Sequence, residues 1–429
     1  MSTQHLFENA CEILRENDRG AYTVPTHGLY PFQWNWDSCL TALGQRHMDE
    51  ARAWLEIQTL LEHQWPDGMV PHIVFHQKDD GYFPGPDVWS CNRPTPTSGI
   101  TQPPVLGFVL RRLYEEAGDR PLAETQIRTL LPKALEWHRW FFRCRDPQGT
   151  GLVALLHPWE AGRDNSVDWD SAFQQVPTEG VAPYVRRDTQ HVNAAQRPTQ
   201  AEYDRYLWLV QHFRSLGWNN TRLHDASPFQ VIDPGFNAIL LRSEEDLAWL
   251  AERLGEAPIV SEICLRMERT RAAFEQLWNE TAGQYQCLDR KTGKRIDSLS
   301  VAGVLPLLAA VGTPEQRRRM AERLGTLRQQ VSFGVPSHAP ADPRFDARRY
   351  WRGPVWLIIN YMLTDGLQRH GFAPEARQIL QDSLALIESS GFAEYYDPTD
   401  GAPCGGKRFT WTAAMVLEFL KISRSLQGS

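Results

Sequence analysis

The stretch His157-Pro158-Trp159-Glu160-Ala161-Gly162-Arg163-Asp164-Asn165-Ser166 puts a tryptophan, two carboxylic acids, an arginine and an asparagine into ten residues. Pro158 discourages a regular element at its start and Gly162 adds a flexible point. The composition is that of a loop, and loops on rigid scaffolds are where chemistry concentrates. A second cluster, Glu394-Tyr395-Tyr396-Asp397-Pro398, lies far downstream. Two aromatic-flanked carboxylates on separate loops can act as acid and base in the cleavage of a glycosidic bond, with rings to hold a sugar. Taken alone, Asp164 reads more readily as a turn residue or an ion-pair member beside Arg163. Glu394 has no Lys or Arg near it in sequence, and an acid set among aromatics has its ionised form disfavoured by desolvation, which favours function.

Four other segments carry polar groups in loop-like surroundings, three of them together with aromatics. Tyr30-Pro31-Phe32-Gln33-Trp34-Asn35-Trp36-Asp37 ends just before a helix. Asp37 suits an N-cap, but a cap does not need four aromatics and two amides beside it. In Gln64–His72, Pro-Asp-Gly is turn chemistry and makes Asp67 structural, whereas Tyr82 sits in a polar loop that gives it no obvious packing role. Gln102, in Thr97–Pro104 at a helix start, suits a cap and a sugar hydroxyl equally. Arg348-Arg349-Tyr350-Trp351-Arg352-Gly353-Pro354-Val355-Trp356 interleaves guanidinium with rings, which fits an anionic, partly apolar ligand better than a plain surface charge. Of sixteen tryptophans, eight (34, 36, 65, 89, 159, 351, 356 and 411) stand within three residues of Asp, Pro, Gly or Arg. Core packing and the wall of a cleft are both open to them.

These segments must be positioned by helices. Apolar residues recur at helical spacing over 3–17, with Leu6, Ala10, Ile13 and Leu14 on one face. The same pattern predicts helices over 36–63 (two, broken near Gln45–Met48), 100–117, 121–145, 199–216, 233–254, 257–278, 297–311, 313–330, 350–371, 373–389 and 410–427. The clearest strand signal is a small hairpin, Gln284–Leu288 and Lys294–Ile296. About a dozen helices with few strands and no fixed-period repeat predict an all-α toroid rather than a solenoid. Connections 64–98, 150–198, 331–349 and 391–409 are rich in Pro, Gly, Asp or Trp and too long to be idle, and one end of the toroid can carry them all. No flexible linker is visible, so residues 1–429 read as one domain with loop insertions near 64–98 and 150–198.

Composition excludes several classes. The formal net charge of -7 lacks the basic footprint of a nucleic-acid binder. Seven cysteines, widely spaced and without CxxC, argue against a disulfide framework or zinc site and fit a reducing compartment. No signal peptide or membrane span is visible, which makes the cytoplasm the expectation. Nucleotide-binding glycine motifs, a GxSxG elbow and HExxH are lacking, and the thirteen histidines have no metal-ligand spacing.

Taken in order, GLYPFQWNWDS, SGITQPP, HPWEAGRDNS, YWRGPVW and AEYYDP resemble glycoside hydrolase family 63, in particular its compact bacterial branch acting on mannosylglycerate and glucosylglycerate. The likeness covers nearly the whole chain. It implies an (α/α)6 barrel and an inverting α-glycosidase, with Asp164 as general acid and Glu394 as general base. Inversion calls for carboxyl groups roughly 6.5–9.5 Å apart, an acid of raised pKa, and Arg163 pointing away from Asp164. By the same resemblance Tyr30, Trp34, Asp37, Gln102, Trp159 and Trp356 hold the cleaved sugar, Asp37 binding a hydroxyl or the attacking water. Tyr82, Arg197, Tyr203, Tyr350 and Trp351 face the leaving group, and Arg197 pairs with the glycerate carboxylate. No cofactor or metal is implied. The expected partner is a small anionic sugar, a compatible solute, with no nucleic acid or membrane, and the chain is too short for the β-domains of N-glycan-processing relatives. A neutral-sugar exo-α-glycosidase of the same fold and a non-catalytic sugar-binding protein are the alternatives.

Overall fold

Residues 3–427 are described by a computed structural model. Among them run twelve α-helices of ten or more residues: α1 (Thr3–Asn17), α2 (Asn35–Gln45), α3 (Glu50–Glu62), α4 (Leu106–Glu115), α5 (Arg120–Cys144), α6 (Gln200–Ser215), α7 (Pro234–Arg253), α8 (Ala257–Ala273), α9 (Pro314–Arg328), α10 (Leu357–Arg369), α11 (Ala373–Ser390) and α12 (Thr410–Gln427). An inner ring closes on itself. Helix α2 packs on α4, α4 on α7, α7 on the tight turn Leu305–Leu308, that turn on α10, α10 on α12, and α12 back on α2. Outside it α1 covers α12, α3 covers α2, α5 covers α4 and α7, α8 covers α7, and α11 covers α10. Inner and outer segments alternate along the chain, which is the (α/α)6 barrel, and α6 stands apart as part of an insertion.

The burial patterns explain the two rings. Every residue of α2 is buried, as is α10 from Leu357 to Leu367, so these helices are enclosed on all sides. Outer helices keep a single stripe: α1 buries Leu6, Ala10, Ile13 and Leu14 on the face the spacing predicted. None of the described helices is long and apolar enough to cross a membrane.

The structure corrects three helix boundaries. Residues 297–311 form no α-helix but two 3₁₀ turns, Val301–Gly303 and Leu305–Leu308. Pro306 has no N–H to give a longer helix, and Gly303 lies so close to the 284–285 strand that a Cβ would stand 2.3 Å from the Tyr285 carbonyl. The helix expected from 350 begins at Leu357, because Gly353-Pro354 breaks the run. The one expected from 100 begins at Leu106, after Pro103-Pro104.

The few strands serve to aim loops. The predicted hairpin is present, shortened to Leu288–Asp289 and Lys294–Arg295. It extends a four-stranded antiparallel sheet through Val231–Ile232 to Ala154–Leu155, which feeds directly into the His157 segment. Ala393–Tyr396 pairs with Pro403–Lys407, so Glu394 stands on a strand rather than in a loop. Gln33–Trp34 pairs with Ile73–Val74.

Candidate active site

After the strand Ala154–Leu155 the chain makes a 3₁₀ turn, Pro158–Ala161, closed by Gly162 at φ +65°. A Cβ at Gly162 would stand 2.5 Å from the Trp36 ring, so only glycine allows both the turn and the contact. The charged residues beside Asp164 in sequence, Glu160 and Arg163, are both committed elsewhere. Glu160 takes Arg145 at 2.6 Å and the Leu156 N–H at 2.9 Å. Arg163 points away, as expected, bridging the buried carboxylates of Asp168 and Asp233. The Asp164 carbonyl accepts the Trp169 indole N–H at 2.9 Å and the Tyr206 hydroxyl at 2.8 Å.

With its backbone pinned in this way, Asp164 lines a pocket. Its side chain keeps partial solvent access there, while protein surrounds it on its other sides. Burial pushes its pKa up to about 7, Arg197 opposes the shift, and Glu394 and Asp188 add to it.

Glu394 lines the same pocket and is 1% exposed. Its Oε2 accepts the Gly406 N–H at 2.8 Å, its Oε1 accepts the Tyr30 hydroxyl at 3.0 Å, and Arg197 Nη1 stands 3.7 Å from Oε1. The glycine pair is obligatory here: Gly405 sits at φ +70°, and a Cβ on it would come within 2.3 Å of Oε2. Burial raises the Glu394 pKa, with Arg197 pulling it back.

The N-terminal segment supplies one wall. The 33–34 strand carries Trp34, which meets Tyr30 and Tyr82 edge-on at 5.2 and 5.5 Å. Asp37 lies in the first turn of α2, and the N-cap position belongs to Trp34. Burial, reinforced by Glu394, raises the Asp37 pKa well above the usual carboxylate range. Gln102 lines the pocket, and rather than capping its own helix its Oε1 accepts the Trp36 N–H in the first turn of α2 at 3.2 Å. Trp159 stacks against His72 at 6.2 Å.

The insertion supplies the opposite wall. Tyr203 comes from α6, whose start is fixed by a Thr199–Glu202 capping box. The Arg197 guanidinium lies over Tyr350 at 4.2 Å and bonds Asp188 through Nε at 3.2 Å, leaving its buried Nη1 without a hydrogen-bond partner. Tyr350 itself is held at φ +45°, a strained conformation for a tyrosine. Two bonds fix that turn: Trp351 N–H to Asn165 Oδ1 at 2.9 Å, and Trp356 Nε1–H to the Tyr350 carbonyl at 3.2 Å.

Tyr30, Trp34, Asp37, Tyr82, Gln102, Trp159, Asp164, Arg197, Tyr203, Tyr350 and Glu394 thus converge on one pocket. Trp351 and Trp356 do not line it. They are 1% exposed and stack on each other at 3.9 Å, with Trp356 also stacked on Tyr395, behind the wall. The arginines around them are not ligand-facing either: Arg348 pairs with Asp397 and Asp400, and Arg352 with Asp170. Of the eight polar-flanked tryptophans, Trp34, Trp36, Trp159 and Trp411 line the pocket. Sequence reasoning missed Arg187, Asp188 and His191. Their segment carries no motif, and nothing local shows that Asp188 meets Arg197.

Comparison with known proteins agrees with the fold. A family model described as "Mannosylglycerate hydrolase MGH1-like glycoside hydrolase domain" matches residues 30–412. Mannosylglycerate hydrolase MGH1 of Selaginella moellendorffii is 50% identical over 413 residues, 96% of this chain and 85% of that protein. Glucosylglycerate hydrolase of Mycolicibacterium hassiacum is 36% identical over 435 residues, 97% of each. Among solved structures, the GH63 mannosylglycerate hydrolase from Thermus thermophilus in complex with Tris and D-glycerate superposes with a TM-score of 0.94 at 46% identity, over 97% of this chain and all of that one.

Proposed function

This chain belongs to glycoside hydrolase family 63, in its mannosylglycerate hydrolase MGH1-like group, and from that membership we propose that it cleaves mannosylglycerate, glucosylglycerate or both into hexose and glycerate with inversion. The observation that carries the proposal is the pair of unequal carboxyls on one pocket: Asp164, without a salt bridge among the described residues and with a pKa of about 7, and Glu394, held by the Gly406 N–H and Tyr30. Asp164 gives its proton to the glycosidic oxygen. Glu394 takes a proton from a water on the opposite face of the sugar as that water attacks the anomeric carbon. Tyr30, Trp34, Asp37, Gln102 and Trp159 hold the hexose. Tyr82, Arg197, Tyr203 and Tyr350 hold glycerate, and Trp351 and Trp356 act by backing Tyr350. The whole chain works as one catalytic unit, and seven unpaired cysteines support a reducing, cytoplasmic setting. A panel of mannosylglycerate, glucosylglycerate, trehalose and maltose tests the substrate class. Release from the neutral disaccharides alone would overturn it.

The pH profile follows from the two acids. Activity needs Asp164 protonated, so it falls as pH rises through about 7. Activity needs Glu394 ionised, so the acid limb lies above the ordinary glutamate range. Measuring kcat/KM against pH, with Asp164→Glu as a probe of the alkaline limb, checks the assignment.

Arg197→Ala should raise KM for glycerate glycosides by the equivalent of about 2–5 kcal/mol. It should also move both limbs to higher pH, because Arg197 holds down the pKa of Asp164 and Glu394 alike. An unchanged KM would discard the carboxylate clamp.

A further inference from the structure

The charges around the pocket do not cancel, and the remainder falls on one residue. Four acids line it, Asp37, Asp164, Asp188 and Glu394, with two arginines, Arg187 and Arg197. Catalysis requires Asp164 protonated, and the buried Asp37 is driven in the same direction. That leaves the Asp188 and Glu394 carboxylates. Asp188 bonds Arg186 at 2.7 Å and Arg197 at 3.2 Å, and Arg197 also reaches Glu394 at 3.7 Å. Arg186 lies over Tyr203, at 4.3 Å from its ring. Two anions are therefore balanced by two cations, and Arg197 is shared between both anions before any ligand arrives.

Arg187 stands outside this balance. It precedes the short helix Asp188–His191 and lines the pocket with only its backbone engaged, through the Gln190 N–H to its carbonyl. No ion pair, hydrogen bond or ring contact of its guanidinium exists among the described residues. It is half-buried, in an insertion whose neighbouring groups on the pocket side are Asp188, paired as above, and the exposed His191. An uncommitted guanidinium retains the whole of its attraction for an anion. One already shared between two carboxylates must be drawn away from them.

We propose that Arg187 is a specificity-determining residue for the carboxylate of the substrate: the outer arm of a two-arginine clamp, which draws an α-hydroxycarboxylate aglycone into the pocket and completes its charge balance. The inference rests on the glycerate-glycoside reading and deepens it. It assigns part of the anion selectivity to a residue on the insertion, separate from the acid and base.

The test uses the intact protein and reads binding as well as turnover. D-Glycerate and mannose are titrated calorimetrically into wild type, Arg187→Ala and Arg187→Lys, and KM and kcat for mannosylglycerate are measured at low and high salt. In Arg187→Ala, the D-glycerate Kd and the mannosylglycerate KM should rise about tenfold or more, with kcat and the mannose Kd changed less than about twofold. Arg187→Lys should recover most of the loss, and the salt dependence of kcat/KM should flatten in the alanine variant alone. Unchanged glycerate binding and salt dependence would overturn the proposal. So would an equal loss of mannose affinity, which would mean a distorted pocket. If wild type binds D-glycerate in an Arg187-dependent way yet hydrolyses no glycerate glycoside, the substrate reading fails and the clamp stands.

Discussion

Asp164→Asn is expected to cut kcat on glycerate glycosides by about a thousandfold or more, the full worth of a positioned general acid. Among the described residues its carboxyl makes no ion pair and no hydrogen bond to another side chain, and the loop is held by its backbone carbonyl and by the Arg163 bridge, so the amide changes little but the proton. The loss should depend on the leaving group. A dinitrophenyl α-mannoside, whose phenolate needs no proton, should regain most of the lost rate. Folding should not suffer. A carboxyl whose pKa is raised by the fold binds its proton more tightly folded than unfolded, so its contribution to stability is fullest in acid and is lost as pH rises toward 7. Asn removes that loss, so melting temperatures at pH 8 should be equal to or above wild type. A dinitrophenyl glycoside cleaved as poorly as the natural substrate would deny Asp164 the acid's role.

Glu394→Gln is expected to lose at least as much, and differently. Glutamine keeps the length of the side chain and can still accept from the Gly406 N–H, but it cannot take a proton from water. Better leaving groups should bring no recovery, because the missing step lies on the other side of the sugar. This contrast between the two variants separates acid from base more cleanly than either loss alone. Comparable recovery of both with the activated substrate would contradict the assignment.

The barrel was legible because its helices are long and strongly periodic, and α1 buries the stripe that the spacing named. Boundaries were misread where proline and glycine acted through tertiary contacts. Residues 301–308 have the apolar content of a helix, but Gly303 is pressed against the Tyr285 carbonyl and the segment closes into 3₁₀ turns. The site was legible where a motif concentrates rings and acids. It was misread at Trp351 and Trp356, because an aromatic beside arginine looks the same in sequence whether it faces a ligand or a neighbouring indole. Arg187 and Asp188 were invisible because sequence does not show that Asp188 meets Arg197, or that the Arg187 guanidinium has no partner among the described residues.

The most direct measurement is the anomeric form of the sugar first released. Proton NMR of a fresh mannosylglycerate digest, followed from the first minutes, distinguishes the anomers before mutarotation mixes them. Water delivered by Glu394 to the face opposite the departing glycerate predicts β-mannose first. Initial α-mannose would mean that the sugar had been passed through a covalent intermediate, and the roles given to Asp164 and Glu394 would be wrong.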